Sequence, residues 1–199
     1  MCHLNKYIIN YKTREKYRSK LHVQKGETLL CNIGRFEDQK DHAYLIEVFS
    51  YILKNDPNYK LVLIGNGSLK HRIKEKARNL AIDNKIIFLE NRNDINDLLM
   101  ASDMFVMPSK YEGLPLSLIE AQASGITCII SDNITSEVKI SPNVFSLSKD
   151  SYSHWGDFIM KHSKDGRLDN IKCLDDAGYN EQKIAKFVEE KYLSTPLKS

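Results

Sequence analysis

The stretch TLLCNIGRFEDQKDHAYLIEVFSYILKNDPNYKLVLIGNGSL, residues 28 to 69, decides the fold. It opens with a short apolar run closed by Gly34. DHAYLIEVFSYILKN follows, with apolar residues recurring at helical spacing, and then a second apolar run, KLVLIG. Neither run alternates apolar with polar residues, so each strand is expected to be covered on both faces, as in a parallel sheet. This is one strand, helix, strand unit.

The pattern continues outward. SLKHRIKEKARNLA, KIIFLE, NDINDLLMAS, DMFVMPS, PLSLIEAQAS, ITCIISD and NVFSLS extend it to six strands separated by helices. The expected fold class is α/β, a Rossmann-like doubly wound parallel sheet of about six strands spanning residues 28–150. Residues 151–199 are expected to add two helices, SYSHWGDFIMKH and EQKIAKFVEEKYL, packed on the same domain. Between them, SKDGRLDNIKCLDDAGYN is the most polar link in the chain and the expected mobile one.

Composition excludes several classes. With 42% hydrophobic and 28% charged residues, the chain is an ordinary globular one. No apolar run approaches the ~18 residues of a membrane span. MCHLNKYIINYK lacks the apolar centre of a signal peptide, so a cytoplasmic location is expected. Cys2, Cys31, Cys128 and Cys173 have neither metal-ligand spacing nor disulfide-scaffold density, which points to free thiols, the middle two in the core. The first 25 residues carry seven Lys or Arg against one Glu, which leaves 22 basic and 25 acidic residues elsewhere. One reading is a basic arm peripheral to the inner face of the plasma membrane, or on nucleic acid. The reading preferred here is a solvated helix, KTREKYRSKL, packed loosely on the domain within a basic segment 1–27. No RNA-binding motif accompanies the charge, so nucleic acid is not an expected partner.

In an open parallel sheet, ligands bind beyond the carboxyl ends of the strands, where loops and helix starts converge. Gly34, Arg35 and Lys40 follow the first strand, Gly65 and Gly67 the second, and YEGLPLSLIEAQASG the fourth. Pro115 suits a first helical position, and Gly113 allows close backbone approach. The free amides and dipole at that helix start suit an anion such as phosphate. Glu112 lies just before the helix and Glu120 roughly 8 Å along it, where both can face one cleft. Carboxylates accept paired donors from diols, so this spacing suits a ligand with sugar, phosphate and ribose in a row.

GRFEDQK, LVLIGNGSL, MPSKYEGLPLSLIEAQASG and CIISD, in this order and each at a strand end, resemble the C-terminal, nucleotide-sugar-binding domain of the retaining group 1 glycosyltransferases of the GT-B fold. Within that family the chain is most similar to bacterial enzymes of capsular and other surface polysaccharides. The resemblance covers roughly residues 15–192, and implies sugar transfer from a nucleotide-sugar donor with retention of configuration and no metal or other cofactor. It implies Arg35 and Lys40 on the donor pyrophosphate, offsetting charge on the departing diphosphate. It further implies Glu112 on the donor sugar, the Gly113 and Leu114 amides near the distal phosphate, Glu120 on the ribose, and Gly65 and Gly67 as a turn that keeps side chains out of the pocket. Asn91 and Arg92 fall where the family's backbone holds the base. The resemblance also implies a lipid-linked or glycan acceptor, held by an N-terminal half that this chain is expected to lack; the expectations are then a truncated gene, a domain working with a separately encoded partner half, or one that binds a nucleotide sugar without transferring it.

Other readings stand beside these. Arg35 and Lys40 can pair with Glu37 and Asp38, Ser68 reads as a helix cap, Glu137 as a solvated position, and His42 as a surface or capping residue rather than a base. A non-catalytic nucleotide-sugar-binding remnant is the alternative function. A dinucleotide-dependent oxidoreductase is disfavoured because IGRFED lacks the spaced glycines of that class.

Overall fold

A computed structural model describes residues 3–180. Six strands form one parallel sheet: β1 (Thr28–Ile33), β2 (Tyr59–Ile64), β3 (Ile86–Leu89), β4 (Met104–Met107), β5 (Thr127–Ser131) and β6 (Val144–Leu147). Their order is β3-β2-β1-β4-β5-β6, so the winding reverses between β1 and β4. That is the doubly wound Rossmann order, and the reversal opens a crevice at the carboxyl ends of β1 and β4.

The uninterrupted apolar runs have the expected consequence: successive side chains enter two different cores. Leu29 and Cys31 of β1 join Val62, Phe105 and Cys128 on one face. Helices α1 (Tyr11–Lys20), α4 (Ile95–Ala101), α5 (Leu116–Ala123) and α7 (Ile171–Asp176) cover that face. Leu30 joins Leu61, Leu63, Met104 and Val106 on the other, beneath α2 (His42–Asn55), α3 (Lys70–Asn79) and α6 (Tyr152–His162). Phe36, Phe49 and Trp155 are fully buried there, each burial worth about 2–3 kcal/mol relative to exposure. The helix expected over EQKIAKFVEEKYL, like Cys2, falls outside the described residues; Cys31, Cys128 and Cys173 are free thiols.

The basic N-terminal helix is not loosely attached. Asn10 caps α1, and Arg14 and Arg18 then reach the C-terminal carbonyls of α4 and the Asp103 carboxylate, at 2.5 and 2.9 Å respectively. Arg14 Nη1 alone donates to the carbonyls of Met100, Ala101 and Ser102. Cations at a helix C-terminus meet the negative end of its dipole.

The polar link after α6 also departs from expectation. Residues 163–180 contain α7 and are pinned to the body rather than swinging free. The buried Arg167 guanidinium donates to the carbonyls of Ser124, Met100, Leu99 and Ser102. Leu168 N–H bonds to Gly125 O, and Asn170 is buried against Gln122 O and Asn143. The polar residues that made this segment look loose are its means of attachment. Among the described residues no helix is long and apolar enough to cross a membrane.

Candidate functional site

Three loops meet at the carboxyl end of the sheet, and main-chain hydrogen bonds join them. Phe36 N donates to Asn66 O and Leu69 N to Phe36 O, tying the loop after β1 to the loop after β2. Lys110 N donates to Gln39 O, tying the loop after β1 to the loop after β4. Gly65 has φ +146°, and a Cβ there would collide with the Gly34 carbonyl. At Gly67 a Cβ would stand 2.6 Å from Phe36 backbone atoms. These glycines are therefore needed for loop-against-loop contact, a more immediate role than clearing side chains from a pocket.

On this frame the expected residues fall as follows. Arg35 is exposed on the loop after Gly34; its carbonyl accepts from Glu37 N at 2.7 Å, and its guanidinium makes no hydrogen bond or ion pair among the described residues. Lys40 Nζ lies 2.6 Å from Glu112 Oε1, with side chains 15% and 6% exposed. Gln39 Nε2 holds the same loop through Tyr111 O at 2.9 Å and reaches Glu112 Oε2 at 3.4 Å. Such a shielded carboxylate requires a cationic partner, and here it is Lys40 rather than the solvent. The ion pairs suggested between Lys40 and its neighbours are absent: Glu37 instead accepts from Ser68 N–H and Oγ, and Asp38 pairs with Lys110. Ser68 is thus a partner of Glu37, not the cap of α3, whose N-cap is Leu69.

Helix α5 begins at Leu116, so Pro115 is its N-cap and not its first helical residue. Its carbonyl accepts from Leu118 N, and no side chain caps this end. Gly113 has open space where a Cβ would lie, and Leu114 is 55% exposed. Glu120, the fifth residue of α5, is half-buried and accepts a 2.7 Å hydrogen bond at Oε1 from the Tyr7 hydroxyl. Burial raises its carboxyl above the usual range, and the Tyr7 hydrogen bond opposes that rise. Asn91 is exposed, while the Arg92 guanidinium is engaged in a fork on Asp94 at 2.8 and 2.6 Å. Arg92 and the Tyr17 hydroxyl together hold the Asp94 carboxyl down to about 2.

His42 is not a surface residue. It opens α2 but is only 2% exposed, lying flat on Phe36 with ring centroids 4.3 Å apart. Burial, helped by the Lys40 charge, lowers its pKa to about 4. Glu137 is exposed on the short turn Ser136–Val138. Tyr7 and Lys149 lie outside the quoted strand-end motifs, and Gln39 lies within GRFEDQK as a residue that the pattern does not single out. Lys149, after β6, bonds to Asp41 and to Pro108 O at 2.9 Å, bracing the loops after β1 and β4 together. Asp41 caps α2 from a left-handed conformation, φ 46°. Among the described residues no group of three or more His, Cys, Asp or Glu side chains is placed to hold a metal ion. A hollow of about 830 Å³ lies at the other end of the sheet, lined by Tyr11, Arg14, Asp103 and Arg167. Its arginines are spent on carbonyls and on Asp103, so it is structural rather than chemical.

Residues 13–153 match the model of the group 1 glycosyl transferases, and the chain belongs to that family. Over 142 residues it is 38% identical to EpsF of Bacillus subtilis (strain 168), named as a glycosyltransferase, covering 70% of this chain and 37% of that protein. Over 115 residues it is 35% identical to an Escherichia coli UDP-Gal:alpha-D-GlcNAc-diphosphoundecaprenol alpha-1,3-galactosyltransferase, covering 56% of this chain and 30% of that one. The chain thus spans about a third of the length of these relatives. Among solved structures it resembles Anabaena HepE in complex with UDP and glucose, with a TM-score of 0.78 at 18% identity over 94% of this chain and 55% of that one. It also resembles the C-terminal domain of a group 1 glycosyl transferase, LpcC, from Francisella tularensis, at a TM-score of 0.68 and 20% identity over 94% of this chain and 97% of that one. The fold is that of the C-terminal domain of GT-B enzymes.

Proposed function

We propose that this domain binds a nucleotide sugar at the carboxyl ends of β1 and β4 and takes part in transfer of its sugar with retention of configuration, in the synthesis of a surface or capsular polysaccharide. Arg35 and Lys40 receive the diphosphate, assisted by the Gly113 and Leu114 amides at the uncapped start of α5. The observation that carries the reading is Arg35: an exposed guanidinium without a partner among the described residues, on a loop joined by backbone bonds to the one bearing Glu112. As the bond between sugar and phosphate breaks, negative charge grows on the departing diphosphate, and fixed cations stabilise it without reorganising. Glu112, held by Lys40, faces the donor sugar; Glu120 takes the ribose, and the backbone near Asn91 and Arg92 the base. HepE, whose structures contain UDP or UDP-glucose, supports the choice of donor class.

The acceptor, lipid-linked or glycan, is assigned to a second lobe facing this one. Tyr111, Leu114 and Leu116 are 62%, 55% and 48% exposed at the mouth of the crevice, an apolar rim suited to such a lobe. That rim favours the two-lobe enzyme over a free-standing binding module.

Thermal shift tests the donor site. UDP or GDP at a hundred times its Kd should stabilise the wild type by about 2.7 kcal/mol, a rise of roughly 5–10 °C for a chain of this size. Arg35→Ala should remove most of the rise. Glu120→Gln should weaken nucleoside diphosphates and nucleotide sugars alike, and Glu112→Gln chiefly the sugar-bearing forms. No rise with any nucleoside diphosphate would remove the proposal's basis.

A further inference from the structure

We propose that Tyr7 is a positioning residue of the nucleotide site: its hydroxyl, donating to Oε1 of Glu120, fixes that carboxylate so that its remaining acceptor positions meet the ribose hydroxyls. The proposal rests on the assignment of Glu120 to the ribose made above.

The contact joins residues 113 positions apart, so it is a product of the fold and not of local sequence. Tyr7 ends a single turn, Leu4–Tyr7, whose Leu4 and Tyr7 are 2% and 8% exposed. Both belong to the apolar cluster that contains Leu98 and Leu99 of α4, Leu118 and Ile119 of α5, and Leu174 of α7. The phenol is therefore anchored by packing and reaches Glu120 from a fixed base. A solvated glutamate on a helix samples several rotamers, and a ligand that needs one of them must freeze it. Here the freezing precedes the ligand.

The stoichiometry of lone pairs permits both partners. A carboxylate offers about four acceptor positions, and Tyr7 occupies one of them on Oε1. Oε2 accepts no hydrogen bond from the described residues, and Glu120 keeps part of its surface in solvent. The same hydrogen bond favours the ionised carboxylate against the burial that disfavours it, and the ionised form is the one that accepts from two hydroxyls.

Tyr7→Phe keeps the ring and removes the hydroxyl. Isothermal titration with UDP, GDP and ADP, each beside its 2′,3′-dideoxy counterpart, separates the outcomes. The wild type is expected to prefer the ribose form. Tyr7→Phe should lose about tenfold in affinity for the ribose form, the scale of one hydrogen bond to a charged group, and nothing for the dideoxy form. In a Glu120→Gln background the Tyr7→Phe effect should vanish, because the group it positions is gone. Equal losses with both nucleotide forms would mean a merely structural tyrosine and would overturn the proposal. Tighter binding of the ribose form by Tyr7→Phe would overturn it in the other direction, making the phenol a competitor. A wild type that binds ribose and dideoxy forms equally would refute the ribose assignment of Glu120 instead, and one that binds no nucleoside diphosphate would remove the donor site itself.

Discussion

His42 should make this domain acid-sensitive as pH falls below about 6.5. The side chain is 2% exposed, and its Nε2 has no hydrogen-bond partner among the described residues. Burial, then the charge of Lys40, lowers its pKa from 6.5 to about 4, with Asp41 pulling weakly the other way. In the unfolded chain the imidazole titrates near its ordinary value of about 6.5. The folded value lies below the unfolded one, so between these limits the unfolded chain binds the extra proton and the native state refuses it. Stability from this group is complete above about pH 6.5 and declines as pH falls toward about 4. At about 1.4 kcal/mol per pH unit the loss approaches 3 kcal/mol, a large part of the roughly 5–15 kcal/mol by which domains are stable. The variant His42→Phe keeps a flat ring over Phe36 and removes the titration. Urea unfolding followed through Trp155, the single and fully buried tryptophan, reads both proteins in half-unit steps from pH 7.5 to 4.5. Carboxylates common to both cancel in the difference, so the stability of His42→Phe minus that of the wild type should grow by about 2–3 kcal/mol across the series. Parallel profiles would refute the buried neutral imidazole.

Three further substitutions probe the frame. Arg167→Met removes the side-chain donor to the carbonyls of Leu99 and Ser124 and leaves those of Met100 and Ser102 to Arg14; burial and neighbouring Arg14 already depress this guanidinium to about 10, which offsets part of the gain. The net loss should be about 2–4 kcal/mol, or roughly 5–12 °C in Tm, with faster hydrogen exchange at the Leu168 amide. An unchanged Leu168 amide would show that the segment is held by other means. Gly65→Ala, which drives a methyl into the Gly34 carbonyl from a positive φ, should cost about 2–4 kcal/mol and abolish the nucleotide-induced thermal shift. Gly113→Ala, entering open space, should change Tm by less than about 1 °C, and a larger change would contradict the geometry of that loop.

The architecture was legible because a parallel sheet leaves an unmistakable trace: Thr28–Ile33, Tyr59–Ile64 and the four later strands are apolar without alternation, the first five followed directly by glycine, proline or charge. The strand-end motifs were legible for the same reason, since topology alone says where ligands gather. What the pattern concealed was partnership. Arg35, Lys40 and Glu112 could be placed at strand ends, but not that Lys40 closes on Glu112. Arg167 and Asn170 read as solvated because polarity in a sequence does not distinguish water from carbonyl oxygen as the partner. His42 misled for a related reason: the first residue of a helix is usually wet, and only the stacking on Phe36, six residues earlier, dries it. Tyr7 carried no signal, because nothing local announces a contact with a helix more than a hundred positions away.

The lacing of the loops after β1, β2 and β4 by amide and carbonyl groups separates scaffold from lining. A rim woven from main chain is indifferent to which side chains project from it. Positions such as Tyr111 and Leu114 are therefore free to vary, while the main-chain frame beneath them keeps its shape.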